Sequence, residues 1–254
     1  IEDVSLLTRY QAPVSFVGNS LEDDAKELRG VLGRLGVEQS EMVKIEAALG
    51  EVFARSGENQ AYQGEASLEG IMALGQLRGG LTERDGAYLL DAINGYISER
   101  LRYCRVEALA AMGLEGWGDL GWRRTKAKYR GPAEHGDELT RIYCASQINL
   151  DIPRIYQRDI LTMRVFDVLA CGAVLLTESS PLLEEHFVVG EHLYTYSDTA
   201  DMVVQVEKIL ANPDEARAVA STGEQHVHAN HRMEQRFGVI LEACVERGWL
   251  RSLH

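Results

Sequence analysis

The chain has no run of about 20 apolar residues, which excludes a transmembrane helix. No stretch near its start has the charged, apolar and small-residue order of a signal peptide. Cysteine is scarce: Cys104, Cys144, Cys171 and Cys244 lie far apart and form no C-x-x-C pair. Each falls in an apolar or helical context. That supports neither zinc nor a disulfide framework, and predicts reduced, buried thiols in a cytoplasmic protein. Cations are outnumbered, 26 Lys+Arg against 39 Asp+Glu, for a net charge of -13. On average such a surface repels polyanions, which argues against nucleic acid or an anionic membrane as partner. A local basic pocket for a small anion is still compatible with it. Repeats and low-complexity segments are also missing. The first residue is Ile rather than Met, and the expectation is a piece excised from a longer protein.

What is present is 254 residues with apolar content enough for a real core. The most informative stretch runs from Arg164 to Glu178. Arg164-Val165-Phe166-Asp167-Val168-Leu169-Ala170-Cys171-Gly172 reads as a short helix with a glycine stop. Ala173 to Leu176 then reads as a buried strand. An arginine and a carboxylate at the helix start bring fixed charge and free backbone N–H groups to one edge of a sheet, where a phosphorylated ligand binds.

Pro13 to Asn19 reads as a buried strand ending in a Gly-Asn turn. Residues 21 to about 110 are charged and rich in Ala, Leu, Glu and Gly. Met42, Ile45, Leu49 and Val52 recur at helical spacing, as do Leu89, Ile93, Tyr96, Ile97 and Leu101. Gly79, Gly80 and Gly86 are expected to break this block. A short strand and turn are predicted at Leu114–Gly118, a strand end and loop at Lys128–Pro132, and short strands at Ser146–Leu150 and Leu193–Tyr196. Helices are predicted after Asp137 and Thr162 as caps, at Pro181–Phe187, and at Asp201–Leu210. Two more helices close the chain, the last carrying Phe237, Ile240, Leu241, Cys244 and Val245. Strand and helix alternating at this spacing mean right-handed crossovers and a parallel sheet, with ligands beyond the carboxyl ends of its strands.

Tyr129-Arg130-Gly131-Pro132, His135-Gly136-Asp137-Glu138-Leu139, Ile142-Tyr143, Ile148-Asn149-Leu150 and the Arg164–Gly172 string together resemble the C-terminal, donor-binding half of a GT-B glycosyltransferase. Leu183-Glu184-Glu185-His186-Phe187 and Tyr194-Thr195-Tyr196-Ser197-Asp198 continue the likeness, which is greatest to the CgeB-like (spore maturation protein) group. The resemblance implies an α/β fold: a Rossmann-like parallel sheet with a helical insertion after the first strand. It divides the chain into a nucleotide-sugar-binding domain, residues 1–20 and 111–254, and the insertion, residues 21–110. It also implies a nucleotide-diphosphate sugar as donor, no cofactor, and an acceptor-binding N-terminal half missing from this chain. The acceptor is unknown.

The resemblance gives roles to particular residues. Asp159 and Asp167 stand eight apart, as do two carboxylates in retaining enzymes of this type. Asp167 would accept from the ribose hydroxyls; equally, a carboxylate there favours a helix's first turn. Its usual counterpart is Glu, one methylene longer. Asp159 is either a second site carboxylate or a solvated loop residue. Arg164 and Arg158 suit a diphosphate, or are surface arginines. Arg130 and Gly131, with Pro132, fall where this fold holds the base by backbone contacts, or form a tight turn. His135 either meets the diphosphate or caps a helix. Gly18 and Asn19 let the chain approach the donor closely. The basic pair usual after this strand is absent: the chain runs Ser20-Leu21-Glu22-Asp23-Asp24.

Trp117 and Trp122 read as packing, and Glu184 and Glu185 as solvated. The His226/His228/His231 spacing does not put 226 and 228 on one helix face, and no D-x-D feature marks a metal site. A metal-independent glycosyltransferase is the implied function, with no catalytic residue assigned. The alternative is a non-catalytic nucleotide-binding or protein-interaction module of the same fold.

Overall fold

The computed structural model describes residues 7–56, 82–157 and 160–249. Six strands form one parallel sheet: β1 (Ala12–Val17), β2 (Leu114–Trp117), β3 (Lys128–Gly131), β4 (Ser146–Leu150), β5 (Leu175–Glu178) and β6 (Tyr194–Tyr196), in the order β3-β2-β1-β4-β5-β6. The fold is Rossmann-like, as the sequence pattern predicts. The chain steps outward from β1 to β3, then returns to lay β4 against the other side of β1. Val14 of β1 therefore pairs with Leu114 on one flank and Ile148 on the other. A crevice opens at such a reversal, because the loops beyond the two neighbouring strands leave in opposite directions.

Nine α-helices surround the sheet among the described residues: α1 (Glu22–Arg34), α2 (Gln39–Ser56), α3 (Glu83–Leu109), α4 (Asp137–Ala145), α5 (Met163–Ala170), α6 (Pro181–His186), α7 (Thr199–Ala211), α8 (Pro213–Asn230) and α9 (Met233–Glu246). The three between β1 and β2 have their own core. Leu28, Leu32, Ile45, Leu49, Leu89, Ile93, Ile97 and Leu101 meet in it, the predicted apolar faces turned toward one another. Val52 lies where no side chain is described. Helix α3 belongs to two cores. Its early turns pack in that cluster, while Val106 and Leu109 reach the core under the sheet beside Val14, Phe16, Leu114 and Ile148.

Several local expectations shift. Gly86 lies inside α3 rather than breaking the block; its added Cβ would meet nothing within 4 Å, so the glycine weakens the helix without interrupting it. Gly79 and Gly80 lie outside the described residues. Gly136, at φ 88°, takes the N-cap position of α4 expected of Asp137, which becomes the first helical residue. Strand β5 begins at Leu175, two residues late, because Gly172 turns at φ 62° and ladder pairing with β4 starts at Asn149–Leu175. Helix α7 begins at Thr199, two residues before the expected start, with Asp198 as its cap; the Asp201 carboxylate accepts from the Ser197 amide at 2.8 Å. Trp117 and Trp122 are buried, and Glu184 and Glu185 exposed, as expected. The cysteines are not buried: Cys104 and Cys144 are exposed, Cys171 and Cys244 partly so.

Four histidines gather around Phe187, itself beside Phe166 of α5. His192 and His226 stack at 4.1 Å, and His226 Nε2 lies 2.9 Å from the His186 carbonyl. His231 packs on Phe187 and on Phe166, with Arg236 2.9 Å from its Nδ1. Helix α9 follows with no buried residue; Met233, Phe237 and Ile240 are all more than half exposed.

Candidate functional site

An open cleft of about 500 Å³ lies beyond the carboxyl ends of β1, β2 and β3. That is within the usual range for small-molecule sites. Gly18 and Asn19 form one lip and Pro132 and Ala133 another; His135, Arg164 and Asp167 converge from α5 and the turn before α4. Five of the nine expected site residues thus share one hollow. Arg130 and Gly131 are not among its lining residues. Arg130 instead pairs with Glu115 at 3.1 Å, covers the Trp117 ring and donates to the Arg9 carbonyl. Gly131, at φ 99°, supplies a carbonyl to the Gly118 amide. Arg158 and Asp159 lie outside the described residues.

Close backbone approach explains the glycines at the lip. A Cβ on Gly18 would stand 3.0 Å from the Phe16 ring and 3.4 Å from Arg164 Nη2. On Gly118 it would stand 2.2 Å from the Gly18 carbonyl oxygen, which also accepts from Trp122 Nε1 at 2.6 Å. Just past the lip, buried Leu21 adopts a left-handed φ of 68°. A leucine there is strained by a cost of order 1–3 kcal/mol, offset by the contacts around it. Ser20 beside it is fixed by the Asp119 carboxylate, which accepts the Ser20 amide at 2.9 Å and the Gly121 amide at 2.9 Å.

Arg164 is the cation of the cleft, and it is held from behind. Its Nη1 donates to Asp151 Oδ1 at 2.5 Å, and its side chain also contacts the Tyr143 hydroxyl. The Arg164 side chain is 21% exposed and that of Asp151 only 2%. Arg164 Nε is buried with no hydrogen-bond partner. Asp151 also accepts from Thr177 Oγ1 at 3.1 Å, and its backbone carbonyl from the Tyr196 hydroxyl at 2.8 Å. The guanidinium is therefore preorganised, its orientation fixed before any ligand arrives.

A second arginine braces the lip from below. Arg102, buried in α3, donates to the Ile152 carbonyl through Nε and Nη2, and to the Asn19 carbonyl through Nη1 at 2.8 Å. Burial, then the nearby Arg164 charge, lowers its pKa to about 10. Arg105, one turn on, is fully buried and paired with Glu178 at 2.7 Å, with its guanidinium over the Tyr196 ring.

Asp167 sits one turn into α5, partly buried, and burial raises its pKa while Arg164 and His135 pull it down. A carboxylate lifted in this way accepts strongly from hydroxyl donors. Thr162 occupies the N-cap of α5, as predicted, but its side chain does not cap. It lies 3.5 Å from Asp151 instead, so the Met163 and Arg164 amides at the start of α5 are not capped by it, while the Val165 amide donates to the Thr162 carbonyl.

Asp151, Tyr143, Asp119 and Arg102 were not predicted as site residues. Asp151 directly follows β4, the strand beside β1, and an acid in that place was a readable signal. Tyr143 was visible in the Ile142-Tyr143 pair of the resemblance, with no role attached to it. Arg102 carried no signal, because its reach depends on how α3 crosses the sheet.

The order of the strands defines a Rossmann-like α/β protein with a cleft beyond the carboxyl ends of its strands. A family model described as glycosyl transferase-like matches residues 99–242, more than half of the chain. The chain belongs to that family, and its general function is glycosyl transfer. No curated protein and no solved structure matches it. Among the described residues no helix is long and apolar enough to cross a membrane.

Proposed function

We propose that this chain is the donor-binding half of a GT-B glycosyltransferase of the CgeB-like group, acting in the cytoplasm on a nucleotide-diphosphate sugar. One observation carries the reading: a fixed guanidinium, a partly desolvated carboxylate and an uncapped helix start open on one cleft at the β1–β4 reversal. In this reading Arg164 and the first-turn amides of α5 face the diphosphate, whose leaving charge they stabilise without a metal. Asp167 accepts from the ribose hydroxyls. Gly18 and Asn19 form the floor against which the donor lies, and His135 adds a donor near the phosphates. Gly131 shapes the turn leading to Pro132, where the base would rest. Arg130, engaged with Glu115, supports that turn rather than contacting the donor. The second carboxylate and second arginine of the resemblance, Asp159 and Arg158, complete this assignment. The acceptor and any catalytic base would belong to an N-terminal half. Closure of the two halves would supply orientation and exclude water.

A thermal-shift panel of UDP, GDP and their sugars tests this. Ligand at 100 times its dissociation constant stabilises the bound fold by about 2.7 kcal/mol. The expected result is a rise in Tm with one nucleoside diphosphate, abolished by Asp167→Ala and by Arg164→Gln. No shift with any nucleotide would favour the alternative of a non-catalytic interaction module, a reading consistent with the missing basic pair after β1.

A further inference from the structure

Cys144 and Cys171 lie 27 residues apart in the chain and on different elements, yet the Cys144 side chain reaches the backbone of Cys171. Cys144 is in the last turn of α4. Cys171 is the C-cap residue of α5. The Cys144 thiol reaches the Cys171 carbonyl at 3.8 Å, and the two thiols are within hydrogen-bonding reach of each other. Cys144 is exposed and Cys171 half-buried. One thiol is thus open to a small oxidant while the other waits behind it, the arrangement of a reactive and a resolving cysteine.

We propose that Cys144 and Cys171 are a reversible oxidation site, closing to an intramolecular disulfide that staples α4 to α5. The contact with Cys171 lowers the Cys144 pKa to about 7 and raises that of Cys171, so Cys144 supplies the thiolate. With hydrogen peroxide as oxidant, the Cys144 thiolate attacks one peroxide oxygen. The O–O bond breaks, hydroxide leaves and takes up a proton as water, and Cys144 becomes a sulfenic acid. The Cys171 sulfur then attacks the Cys144 sulfur. The S–O bond breaks, and the departing hydroxide takes the Cys171 proton as a second water. Two thiols lose two electrons, and one peroxide becomes two waters. A dithiol reductant reverses the step by thiol–disulfide exchange.

The helices joined are those that frame the cleft. Tyr143, beside Cys144, contacts Arg164 of α5, so the staple joins the same helix pair at their C-terminal ends.

The test treats the full chain with hydrogen peroxide, blocks free thiols, and maps disulfides by mass spectrometry of unreduced peptides. The expected product is a monomer lighter by two hydrogens, with Cys144 joined to Cys171, Cys104 and Cys244 alkylated, and reversal by dithiothreitol. Cys171→Ser should leave Cys144 as a trapped sulfenic acid, detected by a dimedone adduct. Cys144→Ser should leave Cys171 reduced. Repeating the oxidation in urea should scatter the pairing, since only the fold brings these two together. Oxidation at Cys104 or Cys244 first, an intermolecular dimer, or the same pairing in urea would each overturn the proposal.

Discussion

Removing the Asp151 carboxylate should unsettle the cleft more than any other single change behind it. Asp151→Ala deletes the partner of Arg164 Nη1 and the acceptor of Thr177 Oγ1. Breaking a buried ion pair from one side costs about 3–5 kcal/mol, because the other charge is left uncompensated. The Arg164 side chain is 21% exposed, so water recovers part of that loss. The lower end, about 3 kcal/mol, is the expectation for the ion pair, and the orphaned hydroxyl adds about 1 kcal/mol. In a chain of this size each kcal/mol moves Tm by roughly 2–4 °C, so Asp151→Ala should melt about 10 °C lower. Circular dichroism melts at pH 7 measure it directly. The diagnostic is the cycle with Arg164→Gln. If the penalty is an unpaired guanidinium, Asp151→Ala in the Arg164→Gln background should cost at least 1.5 kcal/mol less, about half the pair's worth. A Tm loss below about 2 °C, or strictly additive single changes, would refute the view of Asp151 as the counter-charge that holds Arg164.

Asp167→Asn should raise stability at pH 7 while weakening nucleotide binding. A carboxyl whose folded pKa is raised binds more protons folded than unfolded, so its charge opposes folding above that window and not at pH 3. Melts at both pH values check the sign, and an unchanged or lowered Tm at pH 7 would contradict it. His231 gives the opposite slope. Burial and Arg236 lower its pKa to about 4, so the unfolded chain binds the extra proton between that value and 6.5. Stability present above pH 6.5 should therefore be lost as pH falls toward 4, by at most about 3 kcal/mol; urea melts of His231→Gln should show a flatter pH profile. Gly118→Ala should cost roughly 1–3 kcal/mol by forcing the β1 and β2 loops apart, and should reduce any nucleotide response in the thermal-shift panel.

The sheet was legible because its strands are short apolar runs set between helical spacings, and parallel sheets bury both faces. The Arg164–Gly172 string was legible for a related reason: a short helix, a left-handed glycine and a strand follow each other within a few residues. Five cleft residues came from that grammar and from the resemblance. Arg130 did not reach the cleft, because Glu115 on the neighbouring strand holds it, and one-dimensional spacing does not report cross-strand partners. The thiol pair of Cys144 and Cys171 was hidden for the same reason. Asp137 was misread as a cap because glycine, with its freedom at positive φ, took that place.

Helix α3 is one unbroken rod of 27 residues, about 40 Å long. Its outer end is clasped by α1 and its inner end carries Arg102 to the lip of the cleft. The block between β1 and β2 is consequently not a detachable ornament. Deleting it whole would remove the crossover that joins the first two strands, together with the strut under Asn19. Any shortening that keeps the lip braced has to stop before Arg102, and a molecule that tilted the outer turns would act as a hand on a lever whose short arm ends beneath the floor of the cleft.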